Sequence, residues 1–243
     1  MKDLTWVVLD IDGVLIDPSD SYDRAVKLTG ELLLSEIDEE GTFELETIRK
    51  FRRKGRFGDD YRVTEGLILA QLTSDFEGFI DNFPRGQGIE WIREEVGEEI
   101  GRKKVKKHFD RFYFGEEGES TGTAAGLWKR EEPFVDTKLL DRINERFKLG
   151  YITGRNRDEV KLAEQVLNYE LSPVVTRDRY HKPDPRALEE LVGNETGIYV
   201  GDTLNDRIFV ENYNENGNDF SFIMVDEDNR PTEVLESFLD SSS

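Results

Sequence analysis

The chain opens with an apolar run that ends on two closely spaced acidic residues. Residues 6–9, WVVL, are followed by Asp10, Asp12 and Gly13. A short continuous apolar run predicts a buried strand of a parallel sheet, because such strands are covered on both faces. Alternate side chains of a strand share a face, so Asp10 and Asp12 are expected together at its carboxyl end. Their repulsion predicts a bound cation such as Mg²⁺ or a proton on one of them, and the alternative is a strand followed by an acidic turn.

The second half of the chain alternates short apolar runs with helical patterns. Strands are predicted at 147–152, 173–175, 197–200 and 222–225, and helices at 156–167, 186–192, 205–211 and 231–239. This alternation indicates an α/β fold with a doubly wound parallel sheet, which binds ligands at the carboxyl ends of its strands. Four such positions carry polar residues: Asp10, Thr153, Lys182 after a short loop, and Asp202.

A long segment without a recognisable strand separates the opening strand from this second half. Helices are predicted at 19–34, 43–54, 64–72, 88–100 and 102–112. The charged stretch 51–64 is predicted to be a loop, and the glycine-rich stretch 115–126 is expected to be mobile or disordered. The expected organisation is a core of residues 1–17 and 134–243 with a helical cap at 18–133.

The charge balance narrows the classes of partner. The chain carries 53 acidic and 33 basic residues, a formal net charge of −20, which argues against duplex nucleic acid or an anionic membrane as the main partner. Scattered carboxylates at this density fit a protein kept soluble in high salt, a halophile, and they fit an ordinary acidic cytosolic protein as well. The oligomeric state is not predicted.

Composition also bears on the compartment. The chain has no cysteine, so it forms no disulfide and no thiolate metal site. No signal peptide is recognisable, and no stretch approaches the ~20 apolar residues that span a membrane. The expectation is a cytoplasmic protein.

The four positions at the strand ends suit the chemistry of a phosphate ester. Asp10 is the candidate nucleophile, which would form an aspartyl-phosphate. Asp12 is the candidate acid and base, which would protonate the leaving oxygen and then activate water. Lys182 would supply a compact positive charge to the phosphate and to the Asp10 carboxylate.

The remaining positions suit phosphate and metal binding. Thr153 would hold a phosphate oxygen through its hydroxyl and its backbone N–H, helped by the N–H groups of the helix that starts near Asn156. Asp202 is the candidate Mg²⁺ ligand, and Asp206, one helical turn away, would support the metal shell or Lys182. Each of these motifs, taken alone, also fits an ordinary turn, loop or helix cap.

Together, the motifs resemble those of the haloacid dehalogenase-like hydrolase superfamily. The resemblance is carried by DIDGVLID at 10–17, ITGR at 152–155, HKPDP at 181–185 and VGDTLND at 200–206. It implies a Rossmann-like core and Mg²⁺-dependent phosphoryl transfer. It also implies a nucleophile at Asp10, an acid/base at Asp12, and metal ligation by Asp202 and the backbone carbonyl of Asp12. The position of the helical segment resembles the subgroup with a cap between the first two motifs.

One motif departs from the pattern of many capped relatives, which have Asn after the Ser or Thr of the second motif. Here Gly154 and Arg155 follow Thr153. Arg155 is predicted to contact phosphate or substrate through its guanidinium, and the alternative is a solvated arginine in a turn.

Two basic stretches, 48–56 and 102–108, stand out in the acidic chain. They would receive the anionic end of a phosphorylated metabolite or a nucleic-acid phosphate, or they are solvated helix faces.

The leading functional interpretation is a phosphatase that acts on a small phosphorylated metabolite. The predicted substrate-binding residues are Thr153, Gly154, Arg155 and Lys182, and the predicted metal site comprises Asp10, Asp12, Asp202 and Asp206. A phosphomutase would use the same residues, whereas Asp12 disfavours a dehalogenase. A non-catalytic module that binds a phosphometabolite is the alternative outside enzymes.

Overall fold

The computed structural model describes residues 4–116, 125–226 and 228–240. The chain divides into two compact units, a sheet unit formed by Met1–Pro18 with Glu131–Ser243, and a helical unit formed by Ser19–Arg130. The predicted mobility of stretch 115–126 concerns mainly residues 117–124, which lie outside the described ranges.

The elements follow one another in the order that an α/β protein with an insertion requires. The strands are β1 Trp6–Leu9, β2 Ile16–Asp17, β3 Glu132–Pro133, β4 Lys148–Ile152, β5 Val174–Val175, β6 Gly197–Gly201 and β7 Phe220–Met224. The helices of the helical unit are α1 Tyr22–Ser35, α2 Leu45–Lys54, α3 Asp60–Gln71, α4 Phe76–Asn82, α5 Ile89–Val96 and α6 Arg102–Phe114, followed by a short 3-10 helix at Leu127–Arg130. The helices of the sheet unit are α7 Thr137–Asn144, α8 Arg157–Leu167, α9 Arg186–Val192, α10 Leu204–Glu215 and α11 Pro231–Asp240.

The sheet unit is built on a five-stranded parallel sheet with β1 at its centre. The strand order is β5-β4-β1-β6-β7, and every neighbouring pair is parallel. Val7 and Leu9 of β1 pack with α7, α8 and α11 on one face, and Val8 packs with α9 and α10 on the other. Helices therefore cover both faces, which explains why β1 is continuously apolar. The predicted doubly wound, Rossmann-like α/β fold is confirmed.

A second, two-stranded sheet was not predicted. Ile16 of β2 pairs antiparallel with Pro133 of β3, and the N–H of Phe134 donates to the carbonyl of Leu15 at 2.8 Å. Two-residue strands are too short to give a period-two pattern. This pair joins the segment that leaves the sheet unit to the segment that returns to it.

The helical unit is organised around α3. Residues 63–70 of this helix are all buried, and α3 packs against α1, α2, α4, α5 and α6. The predicted helix 43–54 ends where α2 ends, at Lys54, but the predicted loop 51–64 was wrong at its other end, because α3 already begins at Asp60. Asp59 caps α3 by accepting from the N–H of Arg62 at 3.0 Å, a local signal within the charged stretch.

Two short helices were also missed, α4 and α7. Each begins after an aspartate whose side chain accepts from a backbone N–H of the first turn: Asp75 from Gly78, and Asp136 from Lys138, both at 2.9 Å. Over the described ranges, every helix is too short or too polar to cross a membrane.

Candidate active site

The three central strands bring three of the predicted residues to one edge of the sheet. Asp10 follows β1, Thr153 follows β4 and Asp202 follows β6, and these strands are neighbours in the order β4-β1-β6. The backbone continues the parallel pattern past the strand end, since the N–H of Asp10 donates to the carbonyl of Val200 at 3.0 Å. The sheet therefore sets the spacing of the site before any side chain is considered.

Lys182, in the loop between β5 and α9, places its ammonium between two buried carboxylates. Its Nζ lies 2.7 Å from Asp10 Oδ2 and 2.6 Å from Asp206 Oδ1, and it donates to the hydroxyl of Tyr199 at 3.1 Å. The Lys182 side chain is 9% exposed, and desolvation alone would lower its pKa. The attraction of Asp10 and Asp206 outweighs that cost and raises the pKa of Lys182 well above its usual value, so the lysine is charged.

Both carboxylate oxygens of Asp10 accept a hydrogen bond. Oδ1 accepts from the N–H of Ile11 at 2.8 Å, and Oδ2 accepts from Lys182. Burial raises the pKa of Asp10, Lys182 opposes that effect, and the nearby carboxylates of Asp206 and Asp202 add to it. The excess of negative charge around Asp10 is the electrostatic condition that a bound cation relieves.

Three of the predicted metal ligands meet at one point. Asp10, Asp202 and Asp206 each offer one carboxylate oxygen, and these oxygens lie within 4.8 Å of one another. Burial, followed by the charge of Asp206, raises the pKa of Asp202 to about 7. A set of carboxylate oxygens without thiolate or imidazole fits a hard divalent cation. The Asp12 carboxylate is not among these ligand atoms.

Asp206 also takes part in the N-terminal cap of helix α10. Its Oδ2 accepts from the N–H of Thr203 at 3.1 Å and from the Thr203 hydroxyl, in the capping box that starts α10. Burial alone would raise the pKa of Asp206, but the charge of Lys182 and the hydrogen bonds from Lys182 and Thr203 outweigh it and lower the pKa. Of the two predicted roles for Asp206, support of Lys182 has direct contacts in the structure.

Gly13 adopts a backbone conformation that other residues rarely adopt, with φ +74°. A Cβ at this position would lie 2.2 Å from Asp202 Oδ2. Glycine is therefore required both for the turn after β1 and for the close approach of the Asp202 carboxylate.

Arg155 has different partners from those predicted. It is 1% exposed, so the alternative of a solvated turn arginine was wrong. Its Nε and Nη2 donate to the carboxylate of Asp12 at 2.6 to 3.1 Å, and Nη2 also donates to Glu131 Oε2 at 2.8 Å. Nη1 lies 3.3 Å from the carbonyl of Glu159. The guanidinium that was predicted to contact phosphate thus binds the candidate acid/base.

The predicted phosphate contacts of the second motif also need correction. The N–H of Thr153 donates to the carbonyl of Val175 at 3.1 Å, so only the Thr153 hydroxyl remains as a candidate donor to phosphate. Asn156 Oδ1 accepts from the N–H groups of Asp158 and Glu159, both at 2.9 Å, in the capping box of α8. The predicted help from this helix start was wrong, because a side chain occupies these donors. Gly154 is exposed, with open space where a Cβ would stand.

Three residues of the site were missed. Tyr199 of β6 is fully buried, and its hydroxyl donates to the carbonyl of Ile152 at 3.0 Å. Glu131 carries no sequence signal, because it lies far from every motif. Thr203 was recognisable in principle, since Thr203 and Asp206 have the spacing of a capping box.

The two basic stretches are engaged with acidic side chains of the helical unit. In the first, Arg49 and Arg52 bind Asp23 at 2.8 and 2.9 Å. In the second, Arg102 binds Asp59 and Lys104 binds Glu36, both at 2.8 Å. These contacts support a structural role for the residues involved.

Comparison with known proteins places this geometry in a family. A scan against protein-family models returned no match, and a search of curated proteins returned none. Among solved structures, phosphatase Tt82 from Thermococcus thioreducens is similar, with 44% identity and a TM-score of 0.87 over 98% of this chain and 100% of that chain.

Two more distant structures share the fold alone. A HAD-superfamily hydrolase of subfamily IA from Geobacter sulfurreducens is 15% identical, with a TM-score of 0.52 over 98% of this chain and 99% of that chain. A candidate phosphoglycolate phosphatase from Lactobacillus delbrueckii is 18% identical, with a TM-score of 0.60 over 99% of this chain and 92% of that chain. The chain belongs to the same family as phosphatase Tt82 and is a phosphatase, and it shares its fold with HAD-superfamily hydrolases.

Proposed function

We propose that this enzyme is a Mg²⁺-dependent phosphatase that hydrolyses the monoester of a small phosphorylated metabolite through an aspartyl-phosphate on Asp10. The observation that carries the proposal is the position of Lys182 Nζ, 2.7 Å from Asp10 and 2.6 Å from Asp206, beside the carboxylate of Asp202. This arrangement offers a carboxylate nucleophile, a fixed positive charge and a hard-cation site in one place.

In the first step, a carboxylate oxygen of Asp10 attacks phosphorus and the bond from phosphorus to the ester oxygen breaks. The N–H of Ile11 and the ammonium of Lys182 orient this carboxylate, and Lys182 also offsets the charge of the phosphoryl oxygens. Asp12 gives its proton to the departing ester oxygen, so the alcohol leaves uncharged.

In the second step, water attacks the phosphorus of the aspartyl-phosphate. Asp12, now a carboxylate, takes the proton of that water, and the bond between phosphorus and Asp10 breaks to release inorganic phosphate. The Asp12 side chain is 29% exposed, so it is not sealed from solvent.

The other residues bind phosphate and metal. The hydroxyl of Thr153 is the candidate donor to a phosphate oxygen. Asp10, Asp202 and the backbone carbonyl of Asp12 would hold Mg²⁺, with Asp206 supporting Lys182. The cation, when bound, neutralises carboxylate charge and aligns the phosphoryl group.

The substrate class follows from charge and size. A net charge of −20 disfavours long polyanions, whereas a small phosphate monoester brings few charges to the enzyme. We further propose that the helical unit, between the first two motifs, acts as a cap that selects the substrate.

The test is a panel of phosphate monoesters, including p-nitrophenyl phosphate, assayed with Mg²⁺ and after its removal by a chelator. We expect Mg²⁺-dependent release of inorganic phosphate, absent in Asp10→Asn. Transfer of the phosphate to a second hydroxyl of the substrate, without release, would identify a phosphomutase instead. Binding without turnover across the panel would leave a non-catalytic module.

A further inference from the structure

Arg155 is the largest side chain that the sheet unit buries almost completely. It is 1% exposed, and its neighbours are charged: the Asp12 carboxylate on one side and that of Glu131, whose side chain is fully buried, on another. Burying a guanidinium is costly, and a chain tolerates that cost where geometry is excellent. The cost of burying Arg155 with Asp12 and Glu131 is therefore more readily explained if the contact also serves the reaction.

We infer that Arg155 is a positioning residue that orients the carboxyl group of Asp12 for its work as acid and base, and that Glu131 holds Arg155 in place. The inference rests on the proposed function, because it requires Asp12 to exchange protons with the leaving oxygen and with water. Arg155 itself touches neither substrate nor phosphate in this assignment.

The geometry of the contact carries the inference. Nε lies 3.0 and 3.1 Å from the two oxygens of Asp12, and Nη2 lies 2.6 Å from Oδ1. Two N–H groups of one planar guanidinium fix the direction and the plane of the carboxylate, which a lysine ammonium cannot do. Asp12 lies in the turn after β1 and is partly exposed, so without this contact its carboxyl group would sample other rotamers.

The far side of the guanidinium is anchored as well. Nη2 donates to Glu131 Oε2 at 2.8 Å, and Nη1 lies 3.3 Å from the carbonyl of Glu159 in α8. Glu131 directly precedes β3, and β3 pairs with β2 only a few residues after Asp12. Hydrogen bonds therefore hold the guanidinium both on the side that faces Asp12 and on the side that faces Glu131 and Glu159.

Orientation of this kind has a kinetic signature. Misplacing a catalytic group by about 1 Å costs up to ~100-fold in rate. The rate falls only for reactions that need the misplaced group, here the Asp12 carboxyl group. An alkyl phosphate needs its leaving oxygen protonated, whereas p-nitrophenyl phosphate, with a good leaving group, needs little protonation. The parameter kcat/KM covers only the steps up to departure of the leaving group, so it isolates this difference.

The experiment compares kcat/KM for glycerol 2-phosphate and p-nitrophenyl phosphate in two variants. Glu131→Gln keeps a hydrogen-bonding partner for Arg155 but removes the negative charge at position 131. Arg155→Met combined with Glu131→Leu removes both members of the fully buried pair, so that only Asp12, whose side chain is 29% exposed, loses its guanidinium partner. We expect kcat/KM for glycerol 2-phosphate to fall about 10- to 100-fold in the double variant, and that for p-nitrophenyl phosphate to fall less than about 3-fold.

A second comparison shows that the effect passes through Asp12. In an Asp12→Asn background, the same double substitution should change kcat/KM for glycerol 2-phosphate by less than about 2-fold, because residues that act as a unit are not additive. The control is Arg146→Met, which removes a side-chain hydrogen bond to the carbonyl of Leu239 in the same unit. It should lower the melting temperature without changing the ratio of the two kcat/KM values.

The results distinguish failure of the positioning role of Arg155 from failure of the acid/base role of Asp12. If Asp12→Asn leaves kcat/KM for glycerol 2-phosphate unchanged, the acid/base role of Asp12 fails and the proposed function fails with it. If Asp12→Asn is slow but the double variant lowers both substrates equally, or adds its full effect to Asp12→Asn, the positioning role is overturned and the proposed function stands. A large loss in Glu131→Gln, confined to glycerol 2-phosphate, would support the inference in a second variant.

Discussion

The hydroxyl of Tyr199 lies 3.1 Å from Nζ of Lys182, so a residue of the central sheet accepts a hydrogen bond from this lysine. The same hydroxyl donates to the carbonyl of Ile152 at 3.0 Å, the last residue before Thr153. One phenol therefore links the lysine to the end of β4, which Thr153 directly follows.

Removing this hydroxyl should affect both stability and activity. In Tyr199→Phe, the carbonyl of Ile152 loses a donor in a buried site, at a cost of about 1–3 kcal/mol, and Lys182 loses an acceptor. We expect a lower melting temperature and a severalfold lower kcat. Tyr213→Phe is the matched control, because Tyr213 is equally buried and its hydroxyl bonds the carbonyl of Gly193 at 2.7 Å. An equal loss of kcat in both variants would show that Tyr199 has no specific role in the site.

Asp206→Asn tests the support of Lys182. An asparagine has one carbonyl oxygen, so it cannot accept from Lys182 and from Thr203 at once as Asp206 does. We expect kcat to fall about 10- to 100-fold, as for other residues that orient a functional group, with the fold retained. Asp158→Asn is the control, because Asp158 is exposed and pairs only at the surface with Lys161. Wild-type kcat in Asp206→Asn would contradict this role.

The two opening aspartates should differ in the covalent intermediate. Asp10→Asn removes the proposed nucleophile, so no phosphoenzyme forms. Asp12→Asn keeps the nucleophile and loses an acid/base contribution of about 10²–10⁴-fold, which slows water attack more than departure of p-nitrophenol. The Asp12 variant should therefore accumulate an acid-stable, hydroxylamine-sensitive phosphoenzyme on p-nitrophenyl phosphate. Mg²⁺ affinity is measured in both variants, and equal labelling in both would remove Asp10 from the nucleophile role.

Gly13→Ala separates backbone strain from crowding of the metal site. Alanine at φ +74° costs about 1–2 kcal/mol, and its Cβ would also stand 2.2 Å from Asp202 Oδ2. Gly217→Ala carries the strain alone, since Gly217 has φ +85° with nothing within 4 Å of the added Cβ. Gly13→Ala should lose at least as much stability as Gly217→Ala, because the clash with Asp202 adds to the backbone strain. Only Gly13→Ala should lose Mg²⁺ affinity in calorimetric titration, and equal affinities would show that Asp202 is not a ligand.

The net charge of −20 predicts a response to salt. Carboxylates repel one another over a Debye length of ~30 Å at 0.01 M salt and ~3 Å at 1 M. If the acidic surface is a halophilic adaptation, screening worth about 2–3 kcal/mol would raise the melting temperature by about 5–10 °C in molar potassium chloride. Choline chloride should act similarly, because screening depends on ionic strength. A melting temperature that is unchanged by either salt rejects the adaptation.

The sequence predicted the parts of this molecule that depend on local patterns. The continuous apolar run of β1 and the alternation after residue 147 were enough for the parallel sheet, because buried strands and amphipathic helices have distinct periods. Asp10, Lys182 and Asp202 were recognisable because each follows a strand or precedes a helix in the required order.

What was missed depends on contacts between distant residues. The guanidinium of Arg155 meets Asp12 across 143 positions of sequence, and no local pattern indicates which carboxylate a buried arginine will choose. Tyr199 had the same difficulty, because a tyrosine in a strand is ordinarily a packing residue. The donors of Thr153 and of the α8 start were overestimated for a different reason: the sequence does not show that Val175 and Asn156 already accept from them.

The central place of β1 has a consequence for how the protein is made. Trp6 pairs with Lys148 on one side and with Gly197 on the other, so β1 is synthesised long before either of its partner strands. Until then, β1 is an apolar strand with two unpaired edges, whereas the helical unit forms its contacts within residues 19–130. The nascent chain is for that interval a template for aggregation, and shielding of residues 6–9 by a chaperone would matter more here than in a fold whose corresponding strand lies at a sheet edge.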